Sequence, residues 1–313
     1  MQLVQYSYAE YVMPFLFVHD IFLPVLKELF QEEKNPVRYV YGTVMSEWSS
    51  GRISFYKIKK PETIDKYLSK IIEEYNVTPA FTFTSRNMTK ERLNNDFCNK
   101  VLDAAYSKNC HFIVASDKLY NHIKSRYKDA KMVCSVIVPS LKINNMFFNE
   151  TDFYNKMLDK YEIVVLRPEY TMENIDKLDK LIKDLSRVEV LINQICHWNC
   201  NVASKHYDAI EAYETGEISK EEYEQQKVFE CPKGKPGYKS VCMTPEIIDK
   251  LVSMGITKLK IQGRDYYQFD RFFEEMYKFF FNNEIPKEEI RNKVDLICAK
   301  LVQENKKVQM IVV

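Results

Sequence analysis

The chain lacks a dominant sign of charge: 45 lysines and arginines face 44 aspartates and glutamates, for a net charge of +1. That balance removes the electrostatic case for bulk nucleic acid or an acidic membrane as partner, since both are held chiefly by excess cationic charge. A long uninterrupted apolar run is also missing. The longest apolar stretch, Tyr11 to Leu29, is broken by Pro14, His19, Asp20, Pro24, Lys27 and Glu28, and a span of ~20 residues would have to bury them all. The start shows neither the basic region nor the small-residue cleavage site of a secretory signal, so the expected location is cytoplasmic. No low-complexity linker and no residue-level repeat interrupts the sequence.

What is present is a chain of 313 residues, 46% hydrophobic and 13% aromatic, long enough to bury a large core without disulfides. Short apolar runs alternate with amphipathic stretches. Expected strands cover Gln2–Tyr8, Val37–Thr43, Ala80–Thr84, His111–Ala115, Met132–Val138, Ile163–Arg167, Val188–Asn193 and Leu259–Gln262. Helical stretches fall between them, at Leu23–Phe30, Thr63–Tyr75, Arg92–Tyr106, Leu119–Tyr127, Phe153–Tyr161, Glu173–Leu185, Pro245–Met254 and Phe269–Phe281. In Thr63–Tyr75, for example, Ile64, Tyr67, Leu68, Ile71 and Ile72 recur at the helical period. Runs of Val, Ile, Leu and Tyr suit parallel strands buried on both faces. Eight strand–helix units point to a closed α/β barrel, a (β/α)8 TIM-like fold, over an open doubly wound sheet. The expected barrel occupies residues 1–285. It includes a polar insertion at 207–240, after the seventh strand, where Ser219 and Glu222 have the spacing of a helix start. Residues 286–313 form a C-terminal helical extension.

Eight cysteines in a reducing compartment suggest metal or chemistry where they cluster. Cys196 and Cys200 follow the seventh strand directly, at the barrel end where such folds place their sites. Cys231 stands beside Pro232, Gly234, Pro236 and Gly237, and Cys242 just precedes a helix. The four are separated by three, thirty and ten residues, without a short CxxC repeat. Four thiolates suit Zn²⁺ or a [4Fe–4S] cluster equally by count; the competing reading is ordinary buried cysteine. Cys98, Cys110, Cys134 and Cys298 fall in or beside helices and strands and are assigned to packing. The CxxxCxxC triplet of radical S-adenosylmethionine enzymes is absent.

Further segments carry a family resemblance. Leu3 to Tyr8, Tyr39-Val40-Tyr41-Gly42 and Gly51-Arg52 look like the opening of the U32 family, historically called peptidases. Met254-Gly255-Ile256-Thr257-Lys258-Leu259-Lys260-Ile261-Gln262-Gly263-Arg264 is similar to that family's "GI…KIEGR" segment. The cysteines after the seventh strand fall where the family holds its cluster ligands, although Cys196-His197-Trp198-Asn199-Cys200 replaces the family's small residues and glycines. The resemblance implies a barrel with a [4Fe–4S] cluster on Cys196, Cys200, Cys231 and Cys242. It also implies oxygen-independent hydroxylation or other redox chemistry on an aromatic or nucleobase substrate, with a partner protein or electron donor. No Ser/His/Asp or Cys/His nucleophile arrangement supports the proteolytic label.

Strand ends supply the remaining candidates. Glu169, Arg264 and His206 are assigned to catalysis, His206 with a metal ligand or a surface position as its alternatives. Glu47, Arg52, Arg86, Arg167, Asn193 and Gln262 are assigned to substrate binding, because arginines converging on one mouth would clamp a carboxylate or phosphate. The bland alternative is a solvated rim of ordinary ion pairs. Two functional rivals stand beside the iron–sulfur enzyme: a zinc-stabilised barrel acting as a binding protein, and a metal-independent hydrolase or peptidase.

Overall fold

A computed structural model of the chain describes residues 9–14, 19–30, 35–44, 46–49, 60–140, 142, 145–194, 196–230, 236–262, 269–281 and 285–304. The described strands, in chain order, are β1 (Glu10–Met13), β2 (Val37–Gly42), β3 (Thr78–Phe83), β4 (His111–Val114), β5 (Lys131–Cys134), β6 (Ile163–Leu166), β7 (Val188–Gln194), β8 (Val241–Cys242) and β9 (Lys258–Ile261). Strands β1 to β7 pair in sequence order except that β9 lies between β7 and β1, closing a ring of eight parallel strands. The two-residue β8 is antiparallel to the end of β7, with Cys242 opposite Asn193.

The helices are α1 (His19–Phe30), α2 (Pro61–Tyr75), α3 (Lys90–Leu93), α4 (Asp96–Ser107), α5 (Asp117–Arg126), α6 (Ile137–Ser140), α7 (Glu150–Leu158), α8 (Pro168–Glu173), α9 (Leu178–Leu181), α10 (Ala203–Glu214), α11 (Lys220–Glu230), α12 (Pro245–Ser253), α13 (Phe269–Phe280) and α14 (Lys287–Glu304). No described helix is long and apolar enough to cross a membrane.

Alternation along the strands separates lumen from jacket. In β6, Ile163 and Val165 join Val12, Tyr41, Ala80, Ile113 and Val133 in one cluster, which takes residues from each of β1 to β6. Val164 and Leu166 join the larger cluster shared with the helices, along with Phe81, Phe83 and Phe112. The period of two thus turns small and β-branched side chains inward and phenylalanines outward. The lumen is completed by charge: Lys260 Nζ lies 2.6 Å from Glu189 Oε1, both buried, and 4.3 Å from the centre of the Tyr41 ring. A charge pair can be kept in such a lumen when each partner answers the other. Tyr39 and His111 rings lie 5.4 Å apart near the amino-terminal end. Burial, with Lys131 next, pushes the His111 imidazole down to about 4.

The jacket follows ordinary helix grammar. In α2, Pro61 stands in the first turn, Ile64, Leu68 and Ile71 are buried, and Asn76 ends the helix at φ 50 with its N–H on the Ile72 carbonyl. Where the structure departs from the expected elements, local capping explains it. The single helix expected over Arg92–Tyr106 is split into α3 and α4, because Asn95 caps the Cys98 N–H. The helix expected over Glu173–Leu185 is replaced by α8, begun early by Pro168, then α9 and a 3-10 turn at Leu185–Arg187. The strand expected at Gln2–Tyr8 lies outside the described residues; Glu10–Met13 fills the ring position between β9 and β2. The polar insertion is helical, α10 and α11, and Ser219 does cap its second helix, taking the Glu222 N–H on Oγ while Glu222 Oε2 takes the Ser219 N–H.

Candidate functional site

Several of the expected residues, Arg167, Glu169 and Asn193 among them, stand at or just after the carboxy-terminal ends of β6 and β7. After β6 the chain runs Arg167-Pro168-Glu169, and Pro168 at the first helical position turns it at once into α8. Arg167 and Glu169 are therefore fixed by a strand end on one side and a helix start on the other, and both are buried. Glu169 Oε1 accepts from Gln194 Nε2 at 2.6 Å and from the Asn199 N–H at 3.1 Å. Its Oε2 is buried and accepts no hydrogen bond among the described residues; Arg167 Nη1 stands 3.7 Å from it. One oxygen is anchored and the other is left open to a proton or a donor.

Arg167 is held elsewhere. Its Nε and Nη2 donate to the two oxygens of Glu150 at 2.8 and 3.1 Å, and Nη1 donates to Asn199 Oδ1 at 3.1 Å. Burial opposes the guanidinium charge, but Glu150 overrides it and holds the group above its ordinary value. Tyr154 donates to Glu150 Oε1 at 2.6 Å and accepts the Arg167 N–H at 3.0 Å. Burial, then Glu150, raises its hydroxyl well above the phenol range. Arg167 so fixes Glu150 and Asn199 in place, and its bidentate fork is already filled by a carboxylate of the protein.

Asn199 joins this carboxylate to the cysteines. It takes the left-handed conformation at φ 45, which is uncommon for a residue with a side chain and is tolerated best by asparagine and aspartate. That turn aims its N–H at Glu169 and its side chain at Arg167. Cys196 and Cys200, on either side, are half-buried. The same loop is clasped to the chain before β8: the Trp198 N–H donates to the Lys239 carbonyl at 2.7 Å, and the Lys239 N–H donates to His197 Nδ1 at 3.0 Å. Lys239 Nζ also lies 4.6 Å from the Trp198 ring centre. Both cysteine-bearing segments therefore meet at the end of β7.

Among the described residues no three His, Cys, Asp or Glu side chains stand together as a metal-holding group. Cys242 is exposed, with Lys278 Nζ 2.6 Å from its sulfur. Cys231, the remaining expected ligand, lies outside the described residues, as do Arg52 and Arg264. The cysteines assigned to packing behave as such. Cys98, Cys110 and Cys134 are buried, and burial pushes Cys98 up to about 11, Cys134 up to about 12 and Cys110 higher still.

The remaining candidates are distributed round the mouth. Asn193 Nδ2 donates to the Gln262 carbonyl at 3.0 Å, and its Oδ1 takes the Gln262 N–H at 2.6 Å, so Asn193 completes the β7–β9 ladder past its bulge. Glu47 lies half-exposed in the turn after β2, beside a fully buried Trp48 whose indole N–H donates to the Arg92 carbonyl at 2.7 Å. Arg86, after β3, pairs with Asp208 on α10. His206 sits half-buried on α10 beside Tyr207.

The group that sequence reasoning missed is Glu211. It is buried on α10 and takes hydrogen bonds from the segment after β3. In the eight-strand ring β7 and β3 are four places apart in either direction. Helix α10, tethered to the end of β7 and bonded to the end of β3, thus crosses the mouth. The one side-chain signal was Arg92, whose guanidinium takes Glu211 while Arg86 offers it only a backbone N–H, and sequence distance concealed the pairing.

No family model matches the chain, and no curated protein matches it. A solved structure, that of the U32 peptidase Mk0906, is similar to it with a TM-score of 0.54 at 10% sequence identity, over 82% of this chain and 93% of that one. At that identity the likeness establishes the barrel fold, in agreement with the sequence resemblance, and the chain shares its architecture with a U32 peptidase.

Proposed function

We propose that the chain is a barrel enzyme of the U32-like kind, with its reaction centre at the carboxy-terminal mouth and Glu169 as the carboxylate that meets substrate. The observation that carries this reading is the split state of Glu169: one oxygen anchored by Gln194 and Asn199, the other buried without a hydrogen bond among the described residues. An anchored carboxylate with one open oxygen is what a general base or a substrate-orienting acceptor requires. Arg167 Nη1 stands 3.7 Å from that second oxygen, and helix α10 reaches across the mouth to the segment after β3.

The cysteines deepen the reading. The loop bearing Cys196 and Cys200 contacts Glu169 through Asn199 and is clasped to the segment that leads from Cys231 to Cys242. We assign these four thiols to a [4Fe–4S] cluster, with Zn²⁺ as the alternative occupant. Filling such a site requires Cys242 to exchange Lys278 for the metal. A cluster there would pass electrons from substrate to an external acceptor in oxygen-independent hydroxylation, with water as the oxygen source, or in related redox chemistry on an aromatic or nucleobase substrate, as the U32 resemblance implies.

The test is anaerobic incubation of metal-loaded protein with an artificial electron acceptor and a mixture of aromatic metabolites and nucleosides, read by mass spectrometry. A product heavier by one oxygen, formed by the wild type and not by Glu169→Gln, is expected. Equal turnover by the two proteins would remove Glu169 from the chemistry. A metal-free hydrolase would instead act without the electron acceptor and keep its activity in Cys196→Ala.

A further inference from the structure

The Glu211 carboxylate occupies a cradle built by a distant part of the chain. Oε1 accepts from Ser85 Oγ at 2.6 Å, from the Asn87 N–H at 3.1 Å and from Arg92 Nη1 at 3.0 Å; Oε2 accepts from the Arg86 N–H at 3.1 Å. Two consecutive backbone amides, a hydroxyl and a guanidinium converge on one two-oxygen anion. Such a set recognises a carboxylate by its shape and charge, whatever the carboxylate is attached to. The cradle follows β3 at its carboxy-terminal end, where barrels bind their substrates. Trp48 stiffens it from behind, since its indole N–H holds the Arg92 carbonyl and the Ser85 N–H donates to the Trp48 carbonyl at 2.9 Å.

The group filling the cradle is held to the barrel by polar contacts. Ala209 and Ile210 of α10 pack with Tyr223 of α11 in a cluster of their own, separate from both the lumen and the jacket core. Helix α10 and the turn after it also meet the barrel through Asp208 with Arg86, Glu217 with Arg92 and the Ser204 carbonyl, which accepts from Arg86 Nη2 at 3.4 Å; both of those acids are exposed. Pairs with an exposed acid of this kind contribute little each, because solvent screens them. The hairpin thus has an apolar cluster of its own and is pinned across the mouth by a buried carboxylate, Glu211.

We propose that the cradle of Ser85, Arg86, Asn87 and Arg92 is a carboxylate-binding subsite, filled by Glu211 while the α10–α11 hairpin is closed and open to the carboxylate of a ligand when the hairpin lifts. Glu211 is then a built-in competitor, and a carboxylate-bearing ligand exchanges with it.

The experiment is anion rescue. Thermal unfolding of the wild type, Glu211→Ala and Glu211→Gln is compared in acetate and in chloride at equal ionic strength. Both variants should melt below the wild type. Acetate should raise the melting temperature of Glu211→Ala by several degrees over chloride, because it refills the vacated cradle. It should leave Glu211→Gln unchanged, since the amide still fills the space, and adding Arg92→Gln to Glu211→Ala should abolish the rescue. Equal melting of Glu211→Ala in the two salts overturns the subsite. Stronger rescue by inorganic phosphate than by acetate overturns its assignment to carboxylates. Should Glu211→Ala fail to fold, hydrogen exchange of wild-type residues 203–214 decides: faster exchange in acetate than in chloride is expected, and identical exchange overturns the proposal.

Discussion

Glu169 illustrates how one side chain can be legible in a sequence while its state is not. Its place three residues past an apolar run marked it as a strand-end carboxylate. Its hydrogen bonds to Gln194 and to the Asn199 N–H depend on residues twenty-five and thirty positions away, which no local pattern reveals. Replacing it tests the anchoring directly: Glu169→Ala leaves two donors unanswered and should lower stability by about 1–3 kcal/mol in denaturant unfolding. No change would mean that water serves both donors equally well. Arg167 was legible in the same way, but its partner Glu150 lies on the preceding helix, so a residue expected to clamp substrate proves to be clamped by the protein.

His111 belongs to the same scale. Burial first, then the Lys131 charge, depresses its imidazole to about 4, with Lys258 adding to the depression and Glu162 opposing it. An unfolded histidine titrates near 6.5, so the folded state binds the proton less well than the unfolded state. The stability this represents is present above about pH 6.5 and is lost as pH falls towards about 4, by up to about 3 kcal/mol. Denaturant unfolding of wild type and His111→Asn across that window should show the difference between them shrinking as the pH drops. A constant difference would contradict the burial of a neutral imidazole.

Among the elements, α10 carries the most consequence for function and was the least legible. Its sequence is polar, its start is unmarked by a side-chain cap, and its purpose depends on the opposite side of the ring. By contrast α2 could be read almost residue by residue, since Ile64, Leu68 and Ile71 lie at helical spacing and are all buried. The split of α3 from α4 was hidden because Asn95 is a cap only in context, and the 90–107 stretch keeps its helical period across the break. Arg92→Gln should loosen the hairpin selectively. Hydrogen exchange over 203–214 should quicken while protection in β3 to β5 is retained, which local opening allows. Uniform loss of protection would show instead that α10 and the barrel unfold as one unit.

At the scale of the whole molecule the barrel was legible because each strand is a short apolar run followed by a helix, and because parallel strands buried on both faces leave that plain mark. Closure was not a local property. It rests on β9 pairing with both β7 and β1, which joins the two ends of the chain around a lumen containing a charged pair. Cys196, Cys200, Cys231 and Cys242 were legible as a set only through their polar, turn-rich surroundings. Backbone pairing brings Cys242 opposite Asn193 and the loop of Cys196 and Cys200 against Lys239. The mouth, with Glu169 beside that loop, is where the fold, the resemblance and the open carboxylate coincide.

The measurement that bears most directly on this account is iron, sulfide and zinc analysis of anaerobically purified protein, with a visible spectrum, for wild type, Cys196→Ala and Cys231→Ala. The account predicts about four iron and four sulfide per chain in the wild type and their loss in both variants. Colourless protein with about one zinc, or no metal in any preparation, would contradict the cluster and leave the mouth without its redox centre.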